Sequence, residues 1–291
     1  MNLPPRPPLR VFYSPAYVVE SGLETVTKAR YLARLLEDGE GGDVVVSAPQ
    51  WATREELLAV HSGNYVRDIL SGRGGPLACG PWSKELLGSV LASTGGMRDA
   101  TLEALREGRS GSLSSGLHHA RRGAGTGFCA VNGLALAALV ALGQVDAVGI
   151  LDLDAHFGGG TAQILRGHPG VRLADVSVRQ FDRWKPRPGE PHFVERVTEP
   201  GRYLEAVRRS TEALEGVGLL IYNAGMDVHE HAGGLRGITT GHICERERWV
   251  ADWARSRGIP LVFALAGGYQ WGGLSLEGIA RLHLETVRAI A

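Results

Sequence analysis

Residues 147–160 read AVGILDLDAHFGGG. From Ala147 to Leu153 the run is apolar except for Asp152, the composition of a strand buried on both faces. A strand is covered on both faces where helices pack on the two sides of a mostly parallel sheet. The run then breaks into Asp154-Ala155-His156-Phe157 and three glycines, so polar side chains leave the strand at its carboxyl end. In open parallel sheets that end is where ligands bind.

Further β-rich runs lie at Arg10–Tyr13, Val44–Val46, Leu173–Val178, Leu219–Asn223 and Leu261–Leu265. Amphipathic segments alternate with them at Thr25–Leu36, Glu55–His61, Lys84–Arg106, Leu134–Leu142, Arg202–Leu214, Cys244–Arg257 and Leu276–Ile290. This alternation predicts an α/β fold, a mostly parallel central sheet with helices on both faces. No linker, repeat or low-complexity stretch divides the chain, so residues 1–291 are expected to form a single domain.

Composition narrows the function. With 44% hydrophobic and 21% charged residues the chain can bury a sizeable core. Lys+Arg and Asp+Glu are 31 each, which argues against direct binding of nucleic acid by bulk charge. Cys79, Cys129 and Cys244 are odd in number and far apart, so neither a disulfide framework nor a cysteine zinc site is implied. No signal-peptide core opens the sequence and no apolar run reaches the ~18 residues of a membrane span. A cytoplasmic protein without a membrane partner is expected, with its oligomeric state open. Glycine, at 41 of 291, is about twice its usual ~7% share and points to many tight loops.

Four loops carry the chemistry. Asp152, Asp154 and His156 alternate, so on an extended backbone they face one side. Such groups leaving a buried strand must be paired or bound to a metal, and Asp and His are zinc ligands. Asp227, just past the run Leu219–Asn223, is the natural third ligand. His229 and His231 read as loop histidines in a solvated turn. The tandem His118-His119 before the glycine-rich Gly123–Cys129 turn is a candidate acid/base pair. Past the last run comes Ala266-Gly267-Gly268-Tyr269, whose phenol can donate to a developing oxyanion. Neither GxGxxG nor GxxxxGK[ST] occurs.

In this order the four elements resemble the zinc-dependent histone deacetylase family, which includes acetoin-utilisation proteins and acetylpolyamine amidohydrolases. FYSPAY, EELLAVHSGNYV (Glu55–Val66) and the closing LHLETVRAIA are also similar to family sequence. The resemblance implies that Asp154, His156 and Asp227 bind zinc, with iron, cobalt or manganese as substitutes. It implies His118 and His119 as catalytic histidines, with Asp152 fixing the tautomer of His118 and Tyr269 polarising the scissile carbonyl. Phe128, next to Gly127, would wall an acyl-lysine channel. Ser177 falls where relatives have a serine near a structural potassium ion, which Asp152, Asp154 and His156 could share. The implied activity is metal-dependent removal of an acyl group from a lysine, a polyamine or a small-molecule amine. A catalytically weak acyl-ligand binder is the competing class. A binuclear hydrolase of the arginase type would need an Asp where Gly158 stands.

The departures are equally specific. Phe157 replaces the family's second histidine, and Gly159 replaces an Asp or Asn that orients the second of the tandem pair. His119 is therefore expected to depend on a water or on a residue of another loop. Val19-Glu20-Ser21-Gly22-Leu23 replaces a PGHPE-type loop, and Ser114-Ser115-Gly116-Leu117 replaces Pro-Pro-Gly. Glu20, Glu24 and Glu230 are the carboxylates that a polyamine site could place at its rim.

Overall fold

The structure is a computed structural model that describes residues 6–19, 24–72, 80–115 and 117–291. Glu20, Cys79 and Gly116 lie outside them. In chain order the elements are β1 (Leu9–Phe12), α1 (Glu24–Glu37), β2 (Val44–Ser47), α2 (Arg54–Val60), α3 (Gly63–Ser71) and α4 (Lys84–Glu107). Then come β3 (Arg109–Ser112), α5 (Gly133–Ala141), β4 (Val148–Asp152), α6 (Gly159–Leu165), β5 (Val171–Ser177) and β6 (Phe193–Arg196). The chain closes with α7 (Tyr203–Glu212), β7 (Leu219–Asn223), α8 (Thr240–Ser256), β8 (Leu261–Ala264) and α9 (Leu276–Ile290).

Among the described residues eight strands form one sheet in the order β2-β1-β3-β8-β7-β4-β5-β6, with each neighbouring pair parallel. Side-chain alternation divides the core between the two faces. Leu151, Leu220, Tyr222 and Phe263 point into a cluster with residues of α1, α7, α8 and α9. Val148, Ile150, Leu219, Ile221 and Val262 point the other way, against α4 and α5. The α/β architecture read from the sequence is therefore present. Among the described residues no helix is long and apolar enough to cross a membrane.

Two strands and two helices carry no clear sequence signal. Strand β3 reads Arg-Ser-Gly-Ser, yet it lies inside the sheet between β1 and β8. Its small residues are a packing requirement. A Cβ on Gly111 would run into the ring of Phe263, 2.6 Å from Cδ1. Ser110 Oγ donates to the Arg10 carbonyl at 2.8 Å, and Ser112 Oγ lies 3.1 Å from the Tyr17 hydroxyl. Strand β6 is a partly exposed edge, and α3 and α6 are short helices that follow loops.

Recognising β3 explains the placement of the site. The chain leaves β3 at Ser112 and reaches His118 six residues on. Strands β3, β8, β7 and β4 are consecutive in the sheet. Their carboxyl ends deliver, in that order, His118 and His119, Tyr269, Asp227, and Asp154 with His156. Parallel pairing brings all four loops to one edge.

Candidate active site

Asp154, His156 and Asp227 each offer a ligand atom, and these atoms lie within 4.8 Å of one another. His156 Nδ1 is 3.1 Å from Asp154 Oδ1 and 3.1 Å from Asp227 Oδ2. The outer carboxylate oxygens are held by backbone, with Gly267 N–H donating to Asp154 Oδ2 at 2.7 Å and Ala155 N–H to Asp227 Oδ1 at 2.9 Å. Asp227 Oδ2 is buried, and its close polar neighbour is His156 Nδ1 at 3.1 Å, out of line for a regular hydrogen bond. Two buried carboxylates converging on one imidazole form a donor set that suits a divalent cation. Burial pulls His156 down, but Asp154 and Asp227 outweigh it and raise its pKa to about 10. The cavity is thus electronegative enough to hold a positive charge. Burial and the nearby Asp154 push the Asp227 carboxyl up. Among the described residues this is the one such group of potential ligands.

The tandem histidines lie beside it. His118 Nδ1 donates to Asp152 Oδ2 at 2.8 Å, and His118 Nε2 is 3.8 Å from Asp154 Oδ1. Burial opposes a charge on His118, yet Asp152 and Asp154 together raise it to about 10. Asp152 Oδ1 also accepts from Asn223 Nδ2 at 2.8 Å, across the β4–β7 register that pairs the two residues. His119 stacks on His118 with centroids 3.8 Å apart. Burial, reinforced by the charge on His118, lowers His119 to about 4. Its Nδ1 is 2.9 Å from Asp182 Oδ2. Of the two partners expected for His119, a water or a residue of another loop, the described contact is the second, a carboxylate. Gly127, at φ +56, packs on the His119 ring, where a Cβ would lie 2.7 Å from Cγ.

Tyr269 closes the opposite side. Burial pushes its phenol up, Asp227 and Asp154 add to the rise, and a hydrogen bond with Thr25 offsets part of it. The hydroxyl is thus a proton donor at neutral pH. The ring stacks on Trp271 at 4.3 Å and lies 6.3 Å from that of Phe128. Phe128 and Phe181 are both exposed despite their size. Phe181 meets the His119 ring edge-on at 4.9 Å and the His156 ring at 6.1 Å. Two aromatic rings thus stand at the entrance, one on each of two loops.

Several sequence readings need correction or completion. His229 is buried, not solvated: its Nδ1 accepts from His231 N–H at 3.0 Å and its Nε2 lies 3.2 Å from Thr240 Oγ1. His231 is exposed. Phe157 is fully buried in the cluster under β4 and β5, so it exchanges a polar position for core packing. Ser177 Oγ lies 2.5 Å from the Ala155 carbonyl and 2.9 Å from that of Arg179, behind the ligand loop.

Three further residues support the site without a clear local signal. Asp175, paired with Asp152 in the sheet, accepts from Gly158 N–H and Trp184 Nε1, each at 2.8 Å. Burial and the charge of Asp152 push its carboxyl well above the usual range. Lys28 is fully buried and donates to the carbonyls of Ala266 and Thr25 at 2.6 and 2.7 Å. Burial lowers it to about 7 against the attraction of Asp227 and Asp154. It clamps the residue, at φ +59, that starts the Tyr269 turn. The guanidinium of Arg246, buried beside Glu247, donates to the Gly225 carbonyl at 2.8 Å and approaches that of Leu153 at 3.5 Å. It thereby ties together the two loops that carry the potential metal ligands. Only the helical spacing of Lys28 and Arg246 was legible beforehand, and it marks a helix, not a buried charge.

Comparison with known proteins agrees with this geometry. A family model described as the histone deacetylase domain matches residues 23–286. An uncharacterized protein of Picosynechococcus sp. is 32% identical over 275 residues, covering 89% of this chain and 91% of that protein. Histone deacetylase 2 of Arabidopsis thaliana is 30% identical over 282 residues, covering 87% of this chain and 72% of its own length. The crystal structure of the HDA15 HD domain superposes with a TM-score of 0.79 at 18% identity, over 98% of this chain and 89% of that one. An acetylpolyamine aminohydrolase from Burkholderia pseudomallei gives 0.80 at 16%, over 97% and 98%. With the domain matched over most of its length and the family's elements gathered at one edge of the sheet, this chain belongs to the histone deacetylase family, hydrolases acting on amides.

Proposed function

We propose that this protein hydrolyses the amide of an acylated alkylamine of the acyl-lysine class at a single divalent metal centre. The observation that carries the reading is the convergence of ligand atoms of Asp154, His156 and Asp227 within 4.8 Å, both carboxylates buried. An ion of the zinc class bound there would polarise the substrate carbonyl and acidify a water. Iron, cobalt or manganese fits the same oxygen and nitrogen donors.

The chain's own groups then divide the work. His119, with its Nδ1–H turned to Asp182, leaves Nε2 to take a proton from water and return it to the leaving amine nitrogen. His118, held by Asp152, keeps its proton and supplies positive charge. Tyr269 donates its hydroxyl to the carbonyl oxygen as that oxygen gains charge. Phe128 and Phe181 flank the apolar stem of the amine.

Charge at the entrance favours a singly charged or neutral amine over a polyamine. Arg121 pairs with Asp182, and Arg179 donates to the carbonyls of Gly233 and Gly234 at 2.8 and 2.9 Å. Gly233 backs the Tyr269 ring, so both guanidiniums are fixed near the site. Glu230, a carboxylate that could meet a polycation, instead accepts from Gly237 N–H at 2.9 Å. The 2.9 Å contact of His119 with Asp182 supports the catalytic reading over the binding-only one, whose motive was the missing partner at residue 159. A potassium ion behind the ligand loop is part of the same proposal, supported by the crowding of Ser177 Oγ and two carbonyls. The test is turnover by the metal-loaded protein of a panel of acyl-lysine peptides and acetylated polyamines. Release of lysine that stops on chelation and returns with metal is expected. Full activity after chelation and dialysis, or no turnover of any member, overturns the reading.

A further inference from the structure

Glycine at 159 has no backbone reason. It is the first residue of α6 and is not among the residues with positive φ, so an L side chain suits its conformation. The reason is space. A Cβ there would collide with the carbonyl oxygen and Oδ1 of Asp182 and lie 2.7 Å from its Cγ. Asp182 comes from the loop between β5 and β6, more than twenty residues further on.

Asp182 is itself held in an unusual state. Its φ is +57, a left-handed conformation that Asp tolerates better than most residues, and its side chain is 2% exposed. Oδ2 accepts from His119 Nδ1 at 2.9 Å and from Gly160 N–H at 3.1 Å, while Oδ1 pairs with the Arg121 guanidinium. The loop is tied on both sides of it. Phe157 N–H donates to the Phe181 carbonyl at 3.2 Å, and Trp184 Nε1 donates to Asp175 Oδ2 at 2.8 Å. A strained residue, buried, with three donors and a braced loop is a fixed acceptor aimed at His119.

We propose that Asp182 is the positioning residue of His119, and that residue 159 is glycine because Asp182 occupies the volume its side chain would fill. This rests on the deacylase reading for its catalytic consequence only. The carboxylate fixes the proton on Nδ1 and turns Nε2 toward the metal cavity. Gly159 and Asp182 are then one unit, and the carboxylate belongs at either position but not at both.

The experiment compares metal-loaded wild type, Asp182→Gly, Gly159→Asp and the double variant Gly159→Asp/Asp182→Gly. Two readouts are taken: the His119 tautomer by 15N-histidine NMR, and kcat and KM on an acyl-lysine peptide. Glycine at 182 suits the left-handed backbone. Asp182→Gly is expected to lose the Nδ1–H tautomer and about 10- to 100-fold in kcat, with KM little changed. Gly159→Asp alone is expected to be at least as impaired, because two side chains compete for one space. The double variant is expected to regain the tautomer and at least tenfold in kcat over Asp182→Gly. Wild-type tautomer and kcat in Asp182→Gly, or a double variant no better than the worse single one, would overturn the proposal. Should Asp182→Gly not fold, Asp182→Asn keeps the volume while its amide donates to Nδ1. It should shift the proton to Nε2, and an unchanged tautomer and kcat would count against Asp182. A wild type that turns over no acylated amine sinks the deacylase reading alone, since the tautomer still judges Asp182.

Discussion

His118 and His119 are adjacent in sequence and their rings are 3.8 Å apart, yet their surroundings drive their ionisation in opposite directions. His118 faces two carboxylates and is raised to about 10, whereas His119 is buried against that charge and lowered to about 4. Groups pushed apart in this way fit the proposed division between a cation and a proton acceptor. Tyr269 is the proposed donor to the substrate, and burial, with Asp227 and Asp154, holds its phenol protonated. Tyr269→Phe removes the hydroxyl and keeps the ring, its stacking on Trp271 and the metal ligands. It is expected to lower kcat by ~10²–10³ with unchanged metal content, checked by steady-state rates beside elemental analysis. A variant that lost its metal as well would assign Tyr269 a structural role instead.

At the scale of elements, the junction of α2 and α3 supports the histidine loop from behind. Thr53 and Glu56 form a capping box at the start of α2, and Ser62 caps α3. Between the helices, His61 Nδ1 donates to the Arg121 carbonyl at 2.9 Å and its Nε2 accepts from Asn132 N–H at 3.0 Å. Asn132 caps α5 and its amide donates to the carbonyls of His118 and Ala120 at 3.2 and 2.9 Å. His61 must therefore be neutral, and burial lowers its pKa from 6.5 to about 4. Because the folded value lies below the unfolded one, the unfolded chain binds the extra proton between those limits. The stability contributed by neutral His61 is complete above pH 6.5 and is lost as pH falls toward 4. The stability difference between wild type and His61→Gln, measured by urea unfolding, should shrink across that window by up to ~3 kcal/mol. A difference that did not change with pH would show that His61 is not the titrating contact.

For the whole molecule, the decisive feature is that β3, β8, β7 and β4 are neighbours in one parallel sheet. Loops distant in sequence then meet at one edge, and the three residues that could hold a metal come from two of them. We propose that residues 1–291 act as one folding unit, since both faces of this sheet are covered by helices drawn from the length of the chain. A metal that binds the folded state alone stabilises it by ~4 kcal/mol at a thousand times its dissociation constant, a rise in Tm on the order of 10 °C. Chelation is expected to lower Tm by such an amount, with recovery on adding zinc, as followed by calorimetry. An unchanged Tm would show that the Asp154, His156 and Asp227 group is satisfied without an ion.

The fold class, the four site loops and the residue types that fit a metal and its flanking groups are legible in the amino-acid sequence alone. These are local properties: an apolar run that ends in Asp and His, paired histidines, and glycines before a tyrosine. Strand β3 was invisible because its signal, small residues beside Phe263, belongs to its neighbours and not to itself. Asp182, Phe181, Lys28 and Arg246 were invisible for the same reason, since their roles depend on what the fold sets against them. Gly159 shows the limit most clearly. As a letter it reads as a lost partner for His119, and tertiary structure alone shows that a carboxylate from another loop fills the same space. Periodicity and composition report which surface a residue turns toward, but only the packed chain decides which atoms meet there.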